Sequence, residues 1–208
     1  MPSNAVLVTT GLANPGGGAD NGVLGQGTTV ALFGDKNYEF NAVSGFRLEG
    51  GFWGTEDQRL GANVVATYIA PSSVGFSGSS GDNGSPLLGR PFFNNNPNTI
   101  TQNGTAGGND IALVTNPGVG SGNIFAQVQS RFFSIEANAI LNLYRADPGA
   151  GGWNLNFLAG YRYMELQESI LVQSNTFLLA GVNYNNIAIP AGSNVGVQDY
   201  FDTRNRFN

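Results

Sequence analysis

"SGFRLEGGFWGTEDQRLGANVVATYIA", Ser44 to Ala70, decides the fold. In its first part Phe46, Leu48, Gly50 and Phe52 alternate with Arg47, Glu49 and Gly51. That is the period-two pattern of a strand with one apolar and one polar face. The polar run Gly54–Gln58 is short enough for a tight turn. Beyond it Leu60, Ala62, Val64, Ala66 and Tyr68 alternate with Arg59, Gly61, Asn63, Val65 and Thr67. A helix is excluded, because apolar residues do not recur at i, i+3, i+4 and i+7 and Gly interrupts every candidate window. The segment reads as an antiparallel strand pair.

The same alternation extends outward. A strand pattern starts at Thr28, after a Gly-rich lead-in over residues 1–27 that reads as irregular. In "NIFAQVQSRFFSIEANAILNLY", Asn123–Tyr144, Phe133, Ile135, Ala137, Ala139, Leu141 and Leu143 oppose Ser134, Glu136, Asn138 and Asn142. In its first half the apolar parity is the other one, with Ile124, Ala126, Val128 and Phe132 against Gln127, Gln129 and Arg131. A one-residue slip moves every side chain to the other face, so this predicts a β-bulge at Phe132-Phe133. After the turn Arg145–Gly152, Trp153, Leu155, Phe157, Ala159, Tyr161 and Tyr163 oppose Asn154, Asn156, Gly160 and Arg162. The closing stretch "VQDYFDTRNRFN" alternates again; Arg204 and Arg206 are expected inward, with Phe201 and Phe207 outward. The expected organisation is one all-β domain over 28–208, with long polar connections at about 71–122 and 169–196.

Composition narrows the function. Only 11% of the 208 residues are charged, against about 25% in ordinary soluble domains. The net charge is −5 and Lys36 is the sole lysine, so the clustered basic residues that nucleic-acid binding needs are missing. With no His and no Cys, triad hydrolases, thiol enzymes and His- or Cys-ligated metal sites are excluded within this chain. Glu49 and Glu136 could in principle form an acid/base pair, but each has an Arg on the same or a neighbouring strand, which favours salt bridging. No enzyme activity, cofactor or metal site is expected. There is no apolar run of membrane-helix length and no secretory signal at the N-terminus as written.

The rhythm of the connections supplies the architecture. They run short (Gly54–Gln58), long (Pro71–Gly122), short (Arg145–Gly152), long (Ser169–Gly196). In an up-and-down sheet this puts tight turns at one end and long loops at the other, the asymmetry of outer-membrane barrels. Phe52, Trp53, Tyr144 and Trp153 flank the short turns, as an aromatic girdle would. Tyr68 and Tyr163 come about ten residues further along, close to a membrane-crossing strand's length. Arg47, Glu49, Arg59, Glu136 and Arg162 fall on the polar faces and are expected to line and pair within a lumen. Arg90, Phe92 and Phe93, in the greasy island of the first long connection, have two readings: a loop constricting the barrel mouth, or an anchor for its own hairpin.

Several stretches carry a family resemblance in order along the chain: "LVTTG" (Leu7–Gly11), "GQGTTVALFG" (Gly25–Gly34), "FRLEGGFW" (Phe46–Trp53) and "GRPFFN" (Gly89–Asn94). "SRFFSIEANAILNL" (Ser130–Leu143), "LAGYRYMELQES" (Leu158–Ser169) and "DYFDTRNRF" (Asp199–Phe207) follow. Together they resemble the planctomycete outer-membrane β-barrel family of porin-like proteins. The resemblance implies a partial transmembrane barrel in the outer membrane, in contact with lipid and passing small solutes, and it supplies no catalytic residues. It also implies a secretion signal and further strands, so this chain is expected to be a fragment or to close its barrel by oligomerisation. The alternatives are a plugged adhesive or structural barrel acting through its loops, and a soluble β-sandwich binding module.

Overall fold

The computed structural model describes residues 5–13, 22–97, 106–146, 152–184 and 187–208. Much of the expected lead-in (1–4 and 14–21) and most of the second short turn (147–151) lie outside them. Every regular element among the described residues is a strand: β1 Val8–Thr10, β2 Val30–Phe33, β3 Gly45–Trp53, β4 Leu60–Ser79, β5 Leu88–Asn94 and β6 Gly108–Thr115. β7 Gly120–Arg145, β8 Asn154–Leu178, β9 Val182–Tyr184, β10 Ile187–Ile189 and β11 Asn194–Phe207 complete the chain. They form a five-stranded sheet in the order β11-β8-β7-β4-β3, a four-stranded sheet β2-β1-β5-β6 and the hairpin β9-β10. The large sheet is open, with edges at β3 and β11; no closed barrel forms among the described residues.

The β3–β4 pairing follows the alternation in the sequence. Phe46 lies opposite Tyr68, Leu48 opposite Ala66 and Phe52 opposite Ala62 on one face, while Arg47 opposes Thr67 and Glu49 opposes Val65 on the other. Among the described residues, both long connections contain strands. β4 continues to Ser79, the 71–122 segment goes on to form β5 and β6, and β8 runs to Leu178 before the β9-β10 hairpin. The supposed irregular lead-in contributes β1, which pairs with β2 and β5.

The chain divides into two compact units. Unit 1 (residues 1–39, 73–128 and 169–201) holds the core: of the thirteen buried hydrophobic residues among the described ones, only Val65 lies outside it. Leu88, Ile111 and Val114 from the small sheet are buried, as are Ile124, Ala126 and Val128 of β7 and Val172 and Leu178 of β8. The Thr176 hydroxyl donates to the Val114 carbonyl at 2.8 Å, and Phe33 stacks on Phe76 at 6.2 Å. This is the two-layer packing that buries one face of each sheet. Unit 2 (residues 40–72, 129–168 and 202–208) is a single layer built from the rest of β4, β7, β8 and β11 together with β3. Residues Asn154–Arg162 of β8 and all of β3 are exposed on both faces.

The bulge expected at Phe132-Phe133 is not seen in β7, whose covered positions keep one parity through that point. Its even-numbered positions are the more covered ones from Ile124 through Asn142, and the odd positions from Gln129 to Leu143 are exposed. What changes along β7 is the chemistry of each face. The extra residue sits in β4. Asn142 N–H donates to the Arg59 carbonyl at 2.8 Å and Ser80 N–H to the Gly122 carbonyl at 2.9 Å. Between these bonds one segment advances from 59 to 80 and the other from 142 back to 122, one residue fewer. The exposed positions of β4 switch accordingly, from Leu60 and Val64 to the odd positions Ile69 through Ser79. Pro71, which has no N–H to give a ladder, stands in this stretch, a setting that suits a bulge.

Candidate functional site

The polar face of unit 2 carries a continuous run of side chains across four strands. Arg47 Nη2 lies 3.3 Å from Glu49 Oε2 on β3. Asn63 Nδ2 on β4 donates to Glu49 Oε1 at 2.9 Å. Asn138 Nδ2 on β7 donates to Asn63 Oδ1 at 3.0 Å and to Glu136 Oε1 at 2.7 Å. Arg162 Nε on β8 closes the run 3.7 Å from Glu136 Oε2. Further along the same faces Asn142 donates to Asn156 at 2.7 Å. Two guanidiniums and two carboxylates balance, and the amides relay between strands. A cavity of about 320 Å3 opens here, lined by Arg47, Thr67, Ser134, Glu136 and Arg162 among others.

Local backbone chemistry makes room for this run. Gly160 stands across from Asn138, where a β-carbon would collide with the Asn138 amide and the Ala137 carbonyl. Glycine in a strand often marks such a close approach. The ion pairs are partly exposed and add little stability; their effect is the field they set up along one face.

Of the expected lumen charges, the structure brings Arg47, Glu49, Glu136 and Arg162 together. Arg59 instead pairs with Asp57 at 3.2 Å inside the β3–β4 turn. There the Thr55 hydroxyl accepts the Arg59 and Leu60 amide protons at 3.0 and 3.2 Å. Its hydrogen bond to Asp57, helped by the Arg59 amide and charge, holds the Asp57 carboxyl below its ordinary pKa. Arg204 and Arg206 belong to the opposite face. Arg206 pairs at 3.2 Å with Glu165, which accepts from the Tyr163 hydroxyl at 2.8 Å and so shares Tyr163's face of β8. Arg162 is on the other face. Strand alternation then puts Phe201 and Phe207 on the Arg162 side, the reverse of the expectation.

Arg90, Phe92 and Phe93 lie on β5, where Arg90 faces Ala112, Phe92 faces Asp110 and Phe93 faces Asn109 of β6. The island therefore forms a strand paired with β6. The largely buried Arg90 guanidinium pairs with Asp199 of β11, and burial lowers its pKa. A largely apolar cavity of about 360 Å3 adjoins this pair.

Between the short-turn end and Tyr163, the opposite face of unit 2 is apolar and bare; the Glu165–Arg206 pair lies beyond it. Phe46, Leu48 and Phe52 of β3 are exposed, Phe52 to 71%, and so are Leu60 and Val64 of β4. Phe133, Ile135, Leu141 and Leu143 of β7 and Leu155, Phe157 and Tyr161 of β8 are exposed as well. At its turn end Tyr144 stacks on Trp153 with ring centroids 4.5 Å apart, and Phe52 and Trp53, flanking the other short turn, are exposed as well. No metal-binding cluster of acidic side chains occurs among the described residues.

An antiparallel sheet, apolar outside and hydrogen-bonded polar on its reverse, has the character of a β-barrel wall. The chain belongs to the family described as "Putative beta barrel porin-7 (BBP7)", whose model matches residues 2–208. No curated protein and no solved structure matches it.

Proposed function

We propose that the chain is a non-enzymatic outer-membrane protein whose unit 2 strands cross the bilayer and pass small solutes along the Arg47–Arg162 polar face. The observation that carries this is the bare apolar face of β3, β4, β7 and β8 behind that run. Water penalises an exposed apolar surface of this extent, whereas a bilayer solvates it, with charge tolerated only on the lumen side. From Trp153 to Tyr163 β8 rises roughly 23 Å at the usual barrel tilt, close to the apolar band of such barrels. Lipid does not permit unpaired strand edges, so a spanning form needs further strands on β3 and β11, for which association of copies is one source.

Planar-bilayer recording tests the pore. Discrete conductance steps from the folded, inserted protein are expected, and a sealed bilayer with inserted protein would remove solute passage. A second reading, a plugged barrel with a structural or adhesive role, is favoured by one observation: the described residues of the 71–122 segment include β5 and β6 with buried anchors. Inserted but non-conducting protein is the result that selects it. The soluble-sandwich reading predicts a detergent-free monomer, which the bare face of unit 2 argues against.

A further inference from the structure

The apolar face of unit 2 ends in a charged rim. On β8 the side that carries Leu155, Phe157 and Tyr161 continues with Tyr163, Glu165 and Gln167. On β7 the side that carries Ile135 and Phe133 continues with Arg131. Tyr68 of β4 packs its ring on Phe46 at 5.6 Å. Tyr68, Arg131, Phe133 and Glu165 line one cavity of about 210 Å3.

The carboxylates of this rim already have partners. Glu165 accepts from Tyr163 and pairs with Arg206. Asp202 accepts from Gln167 at 2.7 Å and lies 3.5 Å from Arg204. Arg131 is exposed and has no ion-pair partner among the described residues. Three guanidiniums thus face two carboxylates, leaving one positive charge beside an aromatic-walled cleft. Two of its lining residues, Tyr68 and Phe133, share the side of their strands that carries the apolar face.

Resting on the membrane reading above, we propose that this cleft docks the phosphate of an anionic membrane lipid, with Arg131 as the anchoring cation. The guanidinium fork suits phosphate oxygens. Tyr68 and Phe133 offer amphipathic and apolar surface at the depth where headgroup meets acyl chain. The lipid's chains would continue along Ile135 and Val64, a continuity that a free phosphate ion would not use.

The test uses the full chain reconstituted into phosphatidylcholine vesicles containing phosphatidylglycerol. Flotation scores insertion, and native mass spectrometry scores the lipids retained after extraction. Wild-type protein is expected to retain phosphatidylglycerol over phosphatidylcholine about fivefold beyond their bulk ratio, the effect of one cation near an anionic surface. Arg131→Gln should bring retention to the bulk ratio, and Arg131→Lys should keep much of the preference. Raising the salt should weaken the wild-type preference without any substitution, which keeps the test alive if Arg131→Gln fails to insert. Retention at the bulk ratio in inserted wild type, or an unchanged preference in Arg131→Gln, would overturn the proposal. Arg131-dependent retention of inorganic phosphate by the detergent-solubilised protein, with phosphatidylglycerol kept only at its bulk ratio, would reassign the cleft to a free anion and overturn the lipid. Absence of insertion by flotation would instead sink the membrane reading, and this inference with it.

Discussion

Glu136 receives the Asn138 amide at 2.7 Å and faces the Arg162 guanidinium at 3.7 Å, so one carboxylate ties β7 to β8 on the polar face. Glu49 does the same between Arg47 and Asn63. Replacing both by Gln leaves Arg47 and Arg162 without counter-charges. If this face lines the pore, Glu49→Gln with Glu136→Gln should shift selectivity toward anions by about fivefold, since one unit charge at contact distance in water is worth about 1 kcal/mol. The reversal potential across a salt gradient measures it; an unchanged potential would place the ion path elsewhere. These residues were legible in the sequence because alternation alone assigns a face. Asn63 and Asn138, the amides that join the acidic residues, were not singled out. Nothing in an Asn distinguishes a cross-strand relay from ordinary strand polarity until the register is known. Arg59 failed for a different reason: it adjoins the turn, where Asp57 is a nearer partner than any residue across the sheet.

At the scale of elements, the facing of β8 yields a sharp comparison. Phe157 lies on the bare apolar side and Asn156 on the side of the polar run. Phe157→Arg should cost about 2–4 kcal/mol of stability in a bilayer, the cost of Arg on a lipid face near the midplane. Asn156→Arg should cost far less. Denaturant titration of refolding into vesicles checks the pair, and equal costs would contradict the assigned faces. The β3–β4 turn makes a second prediction. Thr55→Ala removes the acceptor of two amide protons and should destabilise the hairpin by roughly 1 kcal/mol. Because the folded pKa of Asp57 is depressed, its charged form favours the folded turn. That contribution is present above the ordinary carboxylate pKa and is lost as the pH falls through the lowered one. Amide exchange over Gly54–Leu60 should therefore differ between wild type and Asp57→Asn at neutral pH and converge in acid.

Two departures from the sequence reading at this scale have separate causes. Along β7 apolar residues move from even to odd positions near Phe132 because the surroundings change: Ile124, Ala126 and Val128 enter a core, whereas Leu141 and Leu143 face outward without one. A change of environment and a slip of register leave the same trace in a sequence. In the sequence Ser72–Ser79 has the look of a loop, because its exposed positions are Ser and Gly and only Val74 and Phe76 give it apolar contrast. It is strand all the same, held by the ladder and by the Phe33–Phe76 stack.

Over the whole molecule, the two units obey opposite solvation rules. Unit 1 buries many of its apolar side chains, whereas unit 2 displays them and turns the Arg47–Arg162 run of hydrogen-bonded polar groups to the other face. Moving the protein from detergent to a bilayer should therefore protect the two unequally. Slowed amide exchange is expected over Phe46–Trp53 and Asn154–Arg162, with little change over Ile111–Val114 and Ile124–Val128. Uniform slowing would argue that both units respond to lipid as one. The antiparallel architecture was legible from Ser44–Ala70 and Trp153–Tyr163, whose alternation is strong. The separate core of unit 1 was not, because Val8, Val23, Leu88 and Ile111 are scattered among Gly- and Asn-rich segments and meet only in three dimensions.

The Tyr144–Trp153 stack has a spectroscopic consequence. The chain's two tryptophans both stand beside the short turns, and Tyr144 is close enough to Trp153 to hand it excitation energy. Intrinsic emission is therefore a depth gauge for one edge of the sheet alone. Brominated lipids should quench it strongly when the bromine sits near the headgroup and weakly when it sits at the chain end. Replacing Tyr144 by Phe should dim the sensitised part of the signal while leaving that depth reading in place.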